Sequence, residues 1–462
     1  MNKKSLIILL LIFSLISLFG CKKNVEEPEP SNGNDDIPPV IVDEYAKEKG
    51  LLKDEANLCF QFFMETSNFK DGSLGYGMVR DRWPDNQYMA SIASVGFMLA
   101  SLPYGVENNL ITRELAFERA SKTMDTLIRM ETYSGFFFHW LDMRTAERLG
   151  SCEVSIIDTA LMLAGAIVAG EYFGGEVKEK MQVIYDRIDW SFYVNQDRNM
   201  FYMGYVPDRG GFSGAWDHIS EQLIMYVMAA GSSTYPTDNT LYRTVKNIAM
   251  SNYRGRYRTK NYQTESFIYG GNGSLFQHQF SHAFIDFRNI VDHQGTNFFK
   301  NATEATKANY YFCKDEAYKY IGYQEAWGLS AGDHPFGYKA FGAPPAKNFS
   351  HNGTIMPYAA LASVNYTPEY TFEAIRHFDT LEGLKGNYGY VDAYNLGPVD
   401  PTFFPQLAEV APWFDNDVLG IDKGITLLMI ANFESELIWN LFMQNPNIQR
   451  GLEVLGFVPA TE

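Results

Sequence analysis

The strongest constraint on the fold is a set of apolar segments that recurs at nearly equal spacing along the chain. They cover residues 88–101, 153–169, 217–230, 281–289, 354–363 and 423–440, so successive starts lie 65, 64, 64, 73 and 69 residues apart. Each segment is rich in small and apolar residues and poor in charge, which is typical of a helix buried on every side. Regular spacing of one such unit indicates an internal structural repeat.

A second set of segments alternates with the first and has the charged pattern of amphipathic helices. They cover residues 44–66, 108–130, 176–190, 238–250, 299–317 and 369–379. The connection that leaves each apolar segment is short, which makes antiparallel neighbours, whereas the connection that enters each one is long. We therefore predict an all-α fold, an (α/α)6 barrel with six inner and six outer helices, in one domain over residues 44–462. No alternating run is long enough to predict a sheet.

The first 43 residues have the pattern of an export signal and a linker. Lys3 and Lys4 precede an apolar run over residues 6–19, and Cys21 follows Leu18-Phe19-Gly20. Residues 1–20 are therefore predicted to be a secretory signal, and the cysteine makes it resemble a bacterial lipobox. We expect a lipidated Cys21, a flexible tether over residues 21–43, and an anchor in the bacterial cell envelope at the outer membrane. The alternative is an ordinary cleaved signal with an incidental cysteine.

Charge and cysteine content exclude several classes of function. The formal net charge is −17, and removal of residues 1–20 with their two lysines would leave −19. An acidic chain of this kind is a poor partner for nucleic acid, and it also argues against a polysaccharide lyase, which needs a cationic cleft. Besides Cys21, the cysteines are Cys59, Cys152 and Cys313, at no metal-ligand spacing. We expect buried thiols, although one disulfide is compatible with the count, and a monomer.

The long loops carry aromatic, carboxylate, amide and histidine side chains, and all these loops are predicted to meet at one end of the barrel. Such a mixture suits a neutral, hydroxyl-rich ligand, because sugar rings stack on aromatic faces and polar groups bond their hydroxyls. The alternative is that the aromatic residues only hold the loops in place. The candidate substrate-binding residues are Arg80, Asp81, His139, Trp216, Gln279, His282, Trp327, Tyr338, Asp392 and Tyr394.

Hydrolysis of a glycosidic bond needs two carboxyl groups in different environments. Glu153 and Glu221 stand at equivalent places, at the starts of the second and third apolar segments, and are the predicted catalytic pair. Asp142, Asp158 and Asp333 are further candidates. Asp158 has a structural alternative, because Ser155-x-x-Asp158 resembles a helix capping box.

No cofactor and no metal are predicted. His278 and His282 lie four residues apart with Asp286 four further on, but no spacing supplies a fourth zinc ligand. No phosphate-binding loop, dinucleotide fingerprint or nucleophile elbow is present in the sequence.

Several motifs together resemble the glucoamylase-like domain family that includes glycoside hydrolase family 144, the bacterial endo-β-1,2-glucanases. The motifs span residues of about 70 to 440 and are Arg80-Asp81-Arg82, Ala90 to Phe97, Glu153 to Ala160, Ser220-Glu221, His278 to His282, Trp327 to Ala331, Asn352 to Pro357, Tyr388 to Asn395 and Gly420 to Gly424.

This resemblance implies an (α/α)6 barrel, cleavage of β-1,2-linked glucose chains with inversion, no metal, and a Bacteroidetes-like envelope lipoprotein. One motif departs from the family: Gly332-Asp333-His334-Pro335 stands where the family reads Ser-Asp-Gly-Pro. Internal or terminal cleavage and the preferred linkage therefore stay open. The rival interpretations are a non-catalytic glycan-binding lipoprotein and a hydrolase of another glucan linkage.

Overall fold

The computed structural model describes residues 43–460, and the chain from Tyr45 onward forms one compact unit. The predicted signal, Cys21 and nearly all of the tether lie outside the described residues. The helices are α1 Ala46–Thr66, α2 Ile92–Glu107, α3 Arg113–Arg129, α4 Ile156–Phe173, α5 Gly175–Asp186, α6 Leu223–Gly231, α7 Thr240–Asn252, α8 Phe280–Phe284, α9 Phe298–Glu316, α10 Gly322–Glu325, α11 Pro357–Leu361, α12 Pro368–Phe378, α13 Pro405–Val410, α14 Gly420–Ser435, α15 Leu437–Met443 and α16 Pro446–Leu455.

The inner helices are α2, α4, α6, α8, α11 and α14, and the outer helices are α1, α3, α5, α7, α9 and α12. The inner ring closes because α14, the last inner helix, packs against α2, the first inner helix. The two-ring architecture, the all-α class and the order of the helices are confirmed. The inner helices α8 and α11 are shorter than predicted, at five residues each.

The second inner helix shows why the inner ring is so poor in charge. Almost every residue of α4 is buried, and Gly165 lies so close to α2 that a Cβ there would overlap the carbonyl oxygen of Gly96. Two helix backbones can approach this closely only where both lack side chains. The helix is long and apolar enough to cross a membrane, but 72% of it is buried inside the domain. Its composition is thus explained by its place in the core.

The C-terminal part differs from the prediction. A continuous helix over 423–440 was expected, but α14 ends at Ser435 and α15 leaves it at an angle of 93°. Glu436 at the break has the left-handed backbone conformation, with φ of 57°. Helix α15 then packs against α4 and α8, and α16 packs against α6. These two helices were not predicted as separate elements.

Short antiparallel strands in the long loops were also not predicted. The pairs are Arg82–Trp83 with Val418–Leu419, Met89–Ser91 with Trp140–Asp142, Val154–Ser155 with Gly204–Val206 and then Gly211–Ser213, Val194–Asn195 with Met200–Phe201, Arg254–Gly255 with Phe267–Ile268, Ile290–Val291 with Val458–Pro459, Ala331–His334 with Gly337–Ala340, Lys385–Gly386 with Gly389–Tyr390, and Tyr394–Asn395 with Trp413–Phe414. Short 3-10 helices of three or four residues cover Trp190–Tyr193, Pro207–Arg209 and Leu275–His278. With two to four residues each, the strands are too short to show an alternating pattern in the sequence.

Candidate active site

The strand pairs bring the long loops together at the N-terminal ends of the inner helices. Arg82–Trp83 pairs with Val418–Leu419 directly before α14, and Met89–Ser91 directly before α2 pairs with Trp140–Asp142. The loops that enter the inner helices therefore share one face of the barrel, as predicted. Two groups of carboxylates lie on this face, each organised around one cationic side chain.

The first group, here called the histidine cluster, consists of His139, Glu153, Asp158 and Asp81. The Nδ1 atom of His139 lies 2.8 Å from Glu153 Oε1, and its Nε2 atom lies 3.7 Å from Asp158 Oδ2. The ring also stacks on Trp140 with centroids 4.0 Å apart. The imidazole of His139 thus lies between the carboxylate of Glu153, just before α4, and that of Asp158, in the first turn of α4.

The charges in the histidine cluster follow from this geometry. Burial disfavours the charged ring, but Asp158 and the hydrogen-bonded Glu153 outweigh it and raise the pKa of His139 to about 9. The hydrogen bond from His139 in turn lowers the pKa of Glu153. Burial raises the pKa of Asp81, against the opposing charges of Arg82 and His139. At neutral pH the pair is therefore an imidazolium and an ionised Glu153.

Asp158 takes part in capping α4 only through its backbone amide. The Ser155 hydroxyl accepts a hydrogen bond from the Asp158 amide at 3.2 Å, which caps α4. The Ser155 amide, however, donates to the carbonyl of Phe137. The Asp158 carboxylate is therefore left to face His139 and does not complete a capping box.

Glu221 lies before α6 and has the opposite environment to Glu153. Its carboxyl group is partly buried and accepts a close hydrogen bond from the Ser220 hydroxyl. Burial raises the pKa of Glu221, and the charge of Asp158 raises it further, while Ser220 and His218 act in the other direction. The pKa values of the two predicted catalytic glutamates are thus shifted in opposite directions, which is the pattern of a paired acid and base.

The second group, here called the arginine cluster, consists of Arg82, Asp333 and Asp417. The Arg82 guanidinium lies 2.8 Å from Asp333 Oδ2 and 2.9 Å from Asp417 Oδ2. Burial alone would lower the pKa of Arg82, but the two aspartates outweigh it and raise it. Asp81 lies 3.9 Å from the same guanidinium, so the arginine cluster adjoins the histidine cluster.

Asp333 also belongs to an aspartate trio with Asp392 and Asp415, in which one carboxylate oxygen from each residue lies within 4.8 Å of the other two. Asp392 Oδ2 accepts a hydrogen bond from the Asp333 amide at 2.6 Å. Burial raises the pKa of Asp392 to about 6 and that of Asp415 to about 7, with the neighbouring acids adding to the rise at Asp415. Asp422 is buried beside Asp392, and its pKa is raised well above its ordinary value.

A set of three carboxylates this close together could also accept a hard cation. The histidine pair considered for zinc is different. His278 and His282 are buried, and burial lowers the pKa of His278 to about 4 and that of His282 to about 3. Asp286 is bound to Arg288 at 2.8 Å. These three residues do not converge on a common site among the described residues.

The structure buries six of the side chains that were predicted to bind substrate, Asp392 of the aspartate trio among them. The six are Trp216, Gln279, His282, Trp327, Asp392 and Tyr394. Gln279 donates to the carbonyl of Ala359, and the Trp327 indole donates to that of Tyr370. Aromatic and amide residues in these loops are thus largely structural, which is the alternative that the sequence had left open.

The three remaining candidates are Asp142, Tyr338 and Arg80. Asp142 binds its neighbour Arg144 through both carboxylate oxygens, which lowers its pKa, and it is not part of either cluster. Tyr338 lies opposite Asp333 in the hairpin formed by Ala331–His334 and Gly337–Ala340. Burial raises the pKa of its phenol, and the nearby charges of Asp422, Asp392 and Asp333 raise it further. Arg80 lies in a neighbouring groove, described below.

Sequence reasoning missed two acids of the loop before α14, Asp415 and Asp417, and a third in the first turn of that helix, Asp422. The signal was present, because acids at the junction of a long loop and an apolar helix had pointed to Glu153 and Asp158. The run Trp413-Phe414-Asp415-Asn416-Asp417 before Gly420 has the same form.

Comparisons with known proteins agree with the fold. A family model described as Glycoamylase, putative glucoamylase, matches residues 213–446. The chain is 26% identical over 460 residues to an exo β-1,2-glucooligosaccharide sophorohydrolase (non-reducing end) of Parabacteroides distasonis, with 91% of this chain and 60% of that protein covered. The chain therefore spans about 60% of the length of this curated relative.

Two solved structures are similar over nearly their whole length. One is a protein of Bacteroides uniformis described as a putative glucoamylase, with a TM-score of 0.76, 28% identity, and 89% of this chain and 98% of that chain covered. The other is an endo-β-1,2-glucanase of Chitinophaga pinensis in complex with sophorotriose and glucose, with a TM-score of 0.75, 26% identity, and 89% and 98% covered.

Proposed function

This chain belongs to the family described as putative glucoamylase, and on that premise we propose that it is a glycoside hydrolase of β-1,2-linked glucose chains. Relatives with a named activity act on this linkage: the Parabacteroides sophorohydrolase and the Chitinophaga glucanase. The abundance of carboxylates on the loop face suits a neutral substrate and not an anionic one.

The observation that carries the proposal is the opposite environment of two carboxyl groups on one face. Burial raises the pKa of Glu221, whereas the hydrogen bond from His139 lowers the pKa of Glu153. A general acid must hold its proton at the working pH, and a general base must have lost it. We therefore assign the acid to Glu221 and the base to Glu153.

In the proposed reaction, Glu221 gives its proton to the glycosidic oxygen as the bond to the anomeric carbon breaks. Glu153 takes a proton from the water that attacks the same carbon from the opposite face. The products are two sugars, and the configuration at the cut carbon is inverted. His139 touches Glu153 only through a hydrogen bond and acts as a positioning residue.

The assignment is tested with Glu221→Gln and Glu153→Gln, with Asp142→Asn as the matched control. Each glutamine variant should lose about 10²- to 10⁴-fold in kcat on linear β-1,2-glucan. On an aryl glycoside whose phenol leaves without protonation, Glu221→Gln should regain activity and Glu153→Gln should not. Equal recovery of both variants, or loss of activity in Asp142→Asn, would refute the assignment.

Stereochemistry and linkage are tested on the wild-type protein. NMR of freshly released sugar should show the α-anomer first if the reaction inverts a β-linkage. Incubation with linear β-1,2-glucan, starch and β-1,3-glucan should release reducing sugar only from the first. Release from none of them would favour a glycan-binding protein without catalysis.

We propose that His334 influences whether the chain is cut internally or near an end. His334 occupies the hairpin position at which the sequence departs from the Ser-Asp-Gly-Pro motif of the family it resembles, and its ring lies near Phe336 and Phe341. A bulkier residue beside Asp333 narrows the cleft at the arginine cluster. His334→Gly should shift the products toward a wider range of oligosaccharide lengths, which chromatography of early digests would detect.

We further propose that the protein is a monomeric lipoprotein of the cell envelope, attached through Cys21. The support is the sequence Leu18-Phe19-Gly20-Cys21 after a short apolar run. Metabolic labelling with a fatty acid should mark the wild-type protein and not Cys21→Ser. Labelling of both would contradict the anchor.

A further inference from the structure

A groove of about 640 Å³ lies beside the two carboxylate clusters and includes none of their acids. Its walls come from the loop after α1, from Arg80 to Tyr88, from Met143 and Arg144, and from Tyr388. Three of the long loops therefore meet here, on the same face of the barrel as the clusters. We call it the side groove.

One strand separates the side groove from the arginine cluster. Successive side chains of a strand point to opposite sides. In the strand Arg82–Trp83, Arg82 binds Asp333 and Asp417, whereas Trp83 lines the groove and meets Tyr388 edge to face at 5.1 Å. A chain-like ligand could pass from one side to the other without leaving the loop face.

Two further side chains give the groove the character of a binding site. Arg80 is partly buried, and its guanidinium makes no hydrogen bond or ion pair to any residue in the described part of the chain. Tyr88 is 49% exposed, and Arg144 lies over its ring at 4.3 Å. An unpaired, partly buried guanidinium is costly unless water or a ligand satisfies its donors.

The charged side chains that line the groove are of both signs. Arg144 is paired with Asp142, and Asp71 is paired with Lys122. Glu65 accepts a hydrogen bond from the Tyr388 hydroxyl at 3.1 Å. Lys70 and Arg80 are the lining cations without an ion pair in the described part of the chain, and with two acids in the same wall they offer hydrogen-bond donors more than a strong field of one sign. This combination fits the hydroxyls and apolar faces of a neutral sugar chain.

We propose that the side groove is a second glucan-binding site, which holds units of the substrate chain several sugars away from the bond being cut. The proposal rests on the proposed function, because it takes the same class of polymer to both places. Arg80 donates hydrogen bonds to sugar hydroxyls, and Trp83 supplies a stacking face. Affinity then depends on chain length, because short oligosaccharides fill only the part of the cleft at the clusters.

The test measures binding by calorimetry in a Glu221→Gln background, so that the sugar is not consumed. Arg80→Gln should weaken the binding of long linear β-1,2-glucan by about tenfold and that of the trisaccharide by less than twofold. Trp83→Phe, which keeps an aromatic contact to Tyr388, should weaken long-chain binding to a lesser extent. Phe403→Ala, at an exposed aromatic residue outside the groove, is the matched control and should change neither.

Three outcomes overturn the proposal: equal weakening of long and short ligands, no weakening of the long one, or no gain in wild-type affinity with chain length. Thermal unfolding of each variant shows whether the fold is kept. Failure of the proposed function has a different signature, since the wild-type protein would then release no reducing sugar from β-1,2-glucan. Cleavage by the wild type together with length-independent binding would refute the proposal for the side groove but not the proposed function.

Discussion

Replacing His139 by glutamine should change the pH dependence of stability in a predictable direction. His139 lies between Glu153 and Asp158, and its pKa is raised from 6.5 to about 9. A group whose pKa is higher in the folded state stabilises that state fully below its unfolded pKa. The contribution is lost as the pH rises through the folded value. The window for His139 therefore runs from about pH 6.5 to about pH 9.

The size of the effect follows from the shift. A rise of roughly 2.5 pKa units corresponds to about 3.4 kcal/mol at about 1.4 kcal/mol per unit. The entropy of unfolding is about 2.1 cal/mol/K per residue, which for roughly 420 residues gives about 0.9 kcal/mol/K. Loss of the imidazolium should therefore lower Tm by about 4 °C across the window.

Differential scanning fluorimetry of the wild type and His139→Gln at a series of pH values measures this loss. The wild type should be more stable than the variant at pH 6 and should lose most of that advantage by pH 9.5. His351→Gln is the matched control, because burial lowers the pKa of His351, in the opposite direction to the shift at His139. Parallel curves for the wild type and His139→Gln would refute the charge assigned to His139.

Three further predictions concern activity, packing and metals. The alkaline limb of the pH–rate profile should lie above the usual carboxyl range, because Glu221 must keep its proton. The acid limb should lie below that range, because Glu153 must lose its proton. If the limbs of Glu221→Asp coincide with those of the wild type, the assignment is contradicted. Gly165→Ala should destabilise the fold by about 1–3 kcal/mol through overlap with Gly96, whereas Gly50→Ala, which meets no neighbour in α1, should be neutral or stabilising in thermal unfolding. Treatment with EDTA should leave activity unchanged, and a loss that Ca²⁺ restores would instead make the aspartate trio a cation site.

The fold could be predicted from the sequence because burial leaves a strong mark on composition. An inner helix such as α4 excludes charge from almost every position, so its start and spacing are visible without any structure. The break between α14 and α15 leaves no such mark. Glu436 takes a left-handed conformation in a segment that otherwise reads as one helix, and tertiary packing decides the bend.

The site could be predicted only in part, because it is assembled from residues far apart in the sequence. Glu153 and His139 lie in one loop, and their neighbourhood was visible as a concentration of acids beside aromatic residues. The contact of Arg82 with Asp417 joins residues 335 positions apart, which no local pattern reports. Burial of Trp327 was equally invisible, since an aromatic residue in a loop can face either the core or the ligand.

The pairing of Arg82–Trp83 with Val418–Leu419 also determines when the site can exist during synthesis. Closing so large a loop is entropically costly and can occur only after the last loop has been made. A growing chain therefore carries Arg82 without Asp417, one of its two aspartate partners, until nearly the whole domain has left the ribosome. The catalytic face is among the last parts of the molecule to form, and a chain that ends before Asp415 lacks Asp417 beside Arg82 and Asp415 of the aspartate trio however well its earlier helices pack.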